Sequence, residues 1–181
     1  MSKADVEEAQ ALLGTRVDGI FGPNDLKALK AALKVPVVSD MPDPELISAL
    51  KRDEGLRLTA YKDTVGVWTV GYGHAHIAPG TVWNQGKAEQ MLIEDVKKHN
   101  AELLEKLPWV AGLDRVRQNV LFNMGFNLGI NGLLGFKNTL EAVRTGRYND
   151  AASGMLKSLW AKQVKGRAVR LAQEMQTGRI G

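Results

Sequence analysis

Residues 54–74 read EGLRLTAYKDTVGVWTVGYGH, and this stretch decides the fold because helical spacing here gives way to alternation. Leu58 to Lys62 and Val67 to Tyr72 alternate with period two, which predicts two strands joined through DTVG. Val67 and Thr69 fall on one face of the second strand, and Trp68, Val70 and Tyr72 on the other. The segment presents Glu54 at the end of a preceding helix, Asp63 at the hairpin turn and Thr69 on the returning strand. Two carboxylates beside one cleft are what glycoside hydrolysis needs: one protonated to donate to the leaving oxygen, the other ionised to stabilise positive charge or activate water. Residue types alone leave the plainer reading open, since Asp is a common turn former and a Glu at a helix end is ordinarily solvated.

The flanking sequence is helical in both directions. Upstream, Asp43 is placed to cap a helix with Pro44 at its first position, a buried stripe of Leu46, Ile47 and Leu50, and a stop at Gly55. Downstream, a Pro-Gly turn at 79–80 leads to Asn84, the cap of a long helix whose core face is Met91, Leu92, Val96, Leu103 and Leu104. Shorter helices follow, broken at Pro108, around Gly129–Gly135 and at Gly146. Mostly helix with one small antiparallel sheet is an α+β fold.

The N-terminal residues form a separate piece. Val6, Ala9, Leu12 and Leu13 share a helical face, VDGIFGPND is a turn, and Leu26, Leu29, Ala32 and Leu33 resume helical spacing with Asn24 or Asp25 near the cap. Prolines 36, 42 and 44 then oppose helix. The expected organisation is a helical module at 1–34, a stiff Pro-rich linker at 35–42 and a larger domain at 43–181.

With 44% hydrophobic and 24% charged residues the composition is that of a folded globular protein, which excludes a disordered tail. No apolar run approaches the roughly 20 residues of a bilayer span, and MSKADVEEAQ lacks the apolar core of a signal peptide, so the expected starting compartment is the cytoplasm. The absence of cysteine excludes disulfides and zinc-thiolate sites. His74 and His76 are two apart on a strand, yet without cysteine and with His99 on a distant helix no metal centre is expected. Net charge is +4, and residues 150–181 alone supply it, with Lys157, Lys162, Lys165, Arg167, Arg170 and Arg179 against Asp150 and Glu174. Such an end favours an anionic partner, outer-membrane phosphates among them. A nucleic-acid partner is not expected: in the first helix pair five basic residues are balanced by five acidic ones, whereas a DNA-reading helix carries a basic excess.

The stretch 54–74 closely resembles the catalytic core of phage lysozymes of the T4 kind, whose pattern is E, eight residues, D, five residues, T, then GxGH. Every spacing fits, through Gly71, Gly73 and His74. NVLFNMGFNLG and SLWAKQVKGRAVRL extend the resemblance over about residues 43–178. It implies that Glu54 is the general acid, Asp63 the second carboxylate and Thr69 a holder of the attacking water. It also implies that Asn123 and Asn127 line the cleft, the second as a conservative change, and that Arg167 pairs with the catalytic Glu. His74 is expected to be structural. Two positions depart from the pattern: Val65 and Leu159 stand where some relatives bridge the cleft mouth with an ion pair, so that bridge is not available to this chain.

AQALLG at 9–14 and VDGIFGPNDLKAL at 17–29 resemble the bacterial peptidoglycan-binding module, with Asp18, Gly19, Phe21 and Gly22 as its core. The piece is about half the usual module, and Asp25 stands where Thr is common. Together the two resemblances imply a monomeric phage endolysin without cofactor. It would cleave the β-1,4 bond between N-acetylmuramic acid and N-acetylglucosamine with inversion, as similar enzymes do, which requires the Glu54 and Asp63 carboxyls to lie roughly 6.5–9.5 Å apart. It would wait in the host cytoplasm for a membrane pore and act in the periplasm. The alternative is a catalytically inactive wall-binding protein on the same scaffold.

Overall fold

The computed structural model describes residues 3–13, 17–20, 22–25, 41–63 and 66–181, and the chain divides into two units, Met1–Ser39 and Asp40–Gly181. Phe21, Val65, most of the expected second helix and most of the 35–42 linker lie outside the described residues.

In the larger unit, local signals place the elements. Asp43 accepts the Glu45 amide at 2.8 Å and starts helix Pro44–Glu54 with Pro at its first turn. The helix buries Leu46 and Leu50 and stops at Gly55, whose φ of 70° suits a residue without Cβ. Strand β1, Arg57–Lys62, follows and pairs antiparallel with β2, Trp68–Gly71, which in turn pairs with β3, His74–Ala75. The sheet thus has order β1-β2-β3, one strand more than the alternation predicts. The far side of β1 is covered by residues 81–83: Ala60 donates to the Thr81 carbonyl and Trp83 to that of Leu58, both at 2.8 Å.

Asn84 caps helix Gln85–Lys106, which buries Ala88, Leu92, Val96 and Leu103. Pro108 opens a 3-10 turn, Pro108–Gly112. Asp114 then caps Arg115–Leu134, a helix broken at Gly129, where φ is 69°. Helices Lys137–Arg144, Tyr148–Leu156, Leu159–Val164 and Gly166–Thr177 complete the chain. The core runs from Leu46 and Leu50 through Val96, Leu121 and Met124 to Met155, Trp160 and Met175. The unit is α+β as expected, mostly helical with a small antiparallel sheet. No described helix is long and apolar enough to cross a membrane.

In the smaller unit, helix Lys3–Leu13 departs from the expected apolar face. Val6 is buried, but Leu12 is 82% exposed and the inward position belongs to Gln10, 1% exposed. The reason is the loop that follows. Gln10 Nε2 donates to the Asp18 and Asp25 carboxylates and to the Ile20 carbonyl, each at 3.0 Å, while its Oε1 accepts from the Asp18 and Gly19 amides. A buried amide holds the loop because loop backbone groups removed from water need partners. Asp25 also accepts the Gly22 amide at 2.8 Å, so it does more than cap a helix.

Candidate active site

Glu54 is the last residue of its helix, and its carboxylate meets the end of a different helix. Arg167, the second residue of Gly166–Thr177, donates from Nη1 to Glu54 Oε1 at 2.8 Å. The Arg167 side chain is only 8% exposed, whereas Glu54 keeps 21% of its side chain in solvent, so the acid is held from the protein side and still reached by solvent. Arg167 is itself fixed by Asn123, which accepts from Nε through Oδ1 at 2.9 Å and from Nη2 through its backbone carbonyl at 3.3 Å. A cation in the first turn of a helix opposes the helix dipole, and these bonds offset that cost.

Behind this pair lies a carboxylate that the sequence reading did not single out. Asp53 is 4% exposed as a side chain and accepts two bonds from Arg170 Nη2, at 2.8 and 2.7 Å. It also accepts from Asn123 Nδ2 at 3.1 Å and lies 3.4 Å from Arg167 Nε. A buried charge needs such partners to be tolerated. Two sequence signals point to the set: the adjacent acids Asp53 and Glu54 at a helix end, and Arg167 and Arg170 three apart, hence on one helical face.

Asp63 directly follows β1 and closes the hairpin. Its amide donates to the Val67 carbonyl at 2.9 Å, and its Oδ1 accepts the Val67 amide at 2.8 Å. Thr69 sits on β2 opposite Tyr61 and is 3% exposed. Its hydroxyl donates to the Val67 carbonyl at 3.1 Å, which leaves the oxygen's lone pairs for accepting a proton donor.

Asn123 is 1% exposed and both ends of its amide are engaged, so its contribution is to hold Arg167 and Asp53. Asn127 is exposed, and its Oδ1 accepts from Trp160 Nε1 at 2.9 Å. His74 Nδ1 lies 2.7 Å from Asp95 Oδ2 and its ring tilts against Trp83 at 5.3 Å, tying β3 to the long helix. Leu159, at the departure from the usual mouth pattern, is 75% exposed.

The family model described as phage lysozyme matches residues 51–174. The chain belongs to the phage lysozyme family. Among individual relatives, the pre-baseplate central spike protein Gp5 of Enterobacteria phage T4 is 28% identical, aligned over 92% of this chain and 32% of its own length. The chain therefore spans about a third of that protein. Probable T4-type lysozyme 1 of Dictyostelium discoideum is 26% identical over 72% of this chain and 93% of its own length. The endolysin of Salmonella phage P22 is 31% identical over 66% of this chain and 82% of its own.

Proposed function

We propose that the chain is a phage endolysin with muramidase activity, hydrolysing the β-1,4 bond between N-acetylmuramic acid and N-acetylglucosamine in peptidoglycan. The observation that carries this reading is Arg167 clamping Glu54 from the protein side within a segment that the phage lysozyme family matches. Glu54 is the general acid that protonates the leaving glycosidic oxygen. Asp63, with Thr69, orients a water on the opposite face of the sugar, and its negative charge stabilises the oxocarbenium character of the transition state. That water attacks the anomeric carbon as the glycosidic bond breaks, giving its proton to Asp63 while Glu54 protonates the leaving oxygen, so the configuration inverts. Proton NMR of the first product released from purified peptidoglycan tests this: the α anomer is expected, and initial appearance of the β anomer would exclude the inverting mechanism.

The intact acid, second carboxylate and threonine weigh against the inactive wall-binding alternative. Residues 1–34 serve as a wall-binding module, supported by the Gln10 cradle that shapes the loop carrying Asp18, Gly19 and Gly22. Residues 35–42 are the linker and 43–181 the catalytic domain. The enzyme acts as a monomer, reaches the periplasm from the host cytoplasm through a membrane pore, and engages outer-membrane phosphates through its basic end. The spike-protein match, which covers 92% of this chain, favours a second setting for the same chemistry, with the lysozyme carried on the virion. Detection of the chain in purified particles, against its presence free in the lysate, separates the two.

A further inference from the structure

Asp63 and Thr69 meet on the main chain of a third residue. Val67 donates its amide N–H to Asp63 Oδ1 at 2.8 Å. Its carbonyl oxygen accepts twice, from the Asp63 amide at 2.9 Å and from the Thr69 hydroxyl at 3.1 Å. Two such bonds occupy both lone pairs of a carbonyl oxygen. β2, which Val67 immediately precedes, is the middle strand of the sheet. Thr69 pairs there with Tyr61 of β1 on one side and Ala75 of β3 on the other, and is 3% exposed. Thr69 is thus set in a rigid frame, whereas Asp63 lies just beyond the last residue of β1. The bonds to Val67 tie the Asp63 carboxylate to that frame.

Resting on the assignment of Asp63 and Thr69 as holders of the attacking water, we infer that the Val67 backbone is the positioning element of the pair, fixing the spacing of their oxygens and the direction in which each accepts. Hydrogen-bond polarity carries the argument. The Thr69 proton is committed to the Val67 carbonyl, so Thr69 Oγ faces the water as an acceptor, and an ionised carboxylate only accepts. A water between them gives one hydrogen to each and keeps its lone pairs for the anomeric carbon. A Thr69 hydroxyl free to turn would donate toward the water or the carboxylate, and the water would lose one of its two holders. The Val67 amide, in a charge-assisted bond, fixes the rotation of the Asp63 carboxylate in the same way. Placement matters at this step, since a misplacement of about 1 Å can cost on the order of 10²-fold in rate. Side-chain chemistry does not reveal the role, because every residue except proline carries both backbone groups.

The test measures kcat and KM for reducing-end release from purified peptidoglycan by the full chain, well below the unfolding midpoint of each variant. Val67→Pro deletes the N–H and is expected to lower kcat by about 10–100-fold with KM unchanged. Val67→Ala keeps both backbone groups and is expected to recover the wild-type kcat. Combined with Thr69→Val, Val67→Pro is expected to cost less than the product of the two single losses, because both act on one water. A folded Val67→Pro with wild-type kcat, a Val67→Ala as impaired as Val67→Pro, or fully multiplicative losses overturn the inference. Wild-type kcat in Thr69→Val would instead refute the assignment of the water on which the inference rests. Should Val67→Pro not fold, replacing Val67 by its α-hydroxy acid deletes the same N–H and spares the side chain. The same fall in kcat is expected of that ester, and an unchanged kcat contradicts the role of the amide.

Discussion

Asp43 shows how much one side chain settles. It accepts the Glu45 amide at the start of helix Pro44–Glu54 and pairs with Arg115 across the unit. The Arg115 hydrogen bond is the main reason that its carboxyl sits below the ordinary 3.8; burial acts against it, and Asn119 and the Glu45 amide add to the lowering. Folding therefore favours the ionised form. That stabilisation is present above the unfolded value and disappears as pH falls through the lower folded value. Asp43→Asn keeps a capping acceptor but removes the charge, so its urea midpoint should lie below that of wild type near pH 7 and meet it near pH 2. A gap that persists in acid would contradict this. Asp43→Ala also loses the cap, about 1 kcal/mol. The cap was legible in the sequence because it depends on neighbouring residues. Asp53 was not, since its partners Asn123 and Arg170 are brought to it only by tertiary packing.

At the scale of elements, the hairpin was legible because alternation and glycine placement agree. Gly71 has φ of 69°, and a Cβ there would lie 3.2 Å from the Trp83 ring and 3.3 Å from the Ala88 Cβ. Gly71→Ala should cost about 1–3 kcal/mol, measured as a lower denaturation midpoint; an unchanged midpoint would contradict the strain expected from its positive φ. The third strand escaped the sequence reading because two residues are too few to show a period. The helix ends near the C-terminus depend on distant partners as well. Arg117 donates to the Met175 and Gln176 carbonyls at 2.8 and 3.1 Å and lies over the Tyr148 ring at 3.6 Å. Arg117→Ala removes all three contacts and should destabilise by about 1–3 kcal/mol in urea unfolding. A loss below about 0.5 kcal/mol would show that water replaces them.

At the scale of the whole molecule, wall binding is proposed for unit Met1–Ser39 and chemistry for unit Asp40–Gly181. In the first unit the apolar spacing pointed to Leu12, while the structure buries Gln10 instead, because loop amides needing partners outweigh one leucine's burial. Gln10→Ala should therefore weaken sedimentation of the chain with peptidoglycan several-fold, with hydrolysis of soluble wall fragments unchanged. Undiminished sedimentation would remove the module from wall binding. In the second unit, the Glu54, Asp63 and Thr69 spacing was legible as a motif. The Arg167 partner of Glu54 was implied by the resemblance, but the Asp53–Arg170 pair behind it was not singled out, because it joins residues more than a hundred positions apart.

The most direct test of the central claim is reducing-end release from purified peptidoglycan by wild type and Glu54→Gln, with circular dichroism confirming that both are folded. Loss of the general acid predicts a fall of about 10²–10⁴-fold in kcat. A folded Glu54→Gln that cleaves at the wild-type rate would contradict the assignment of Glu54 as the acid.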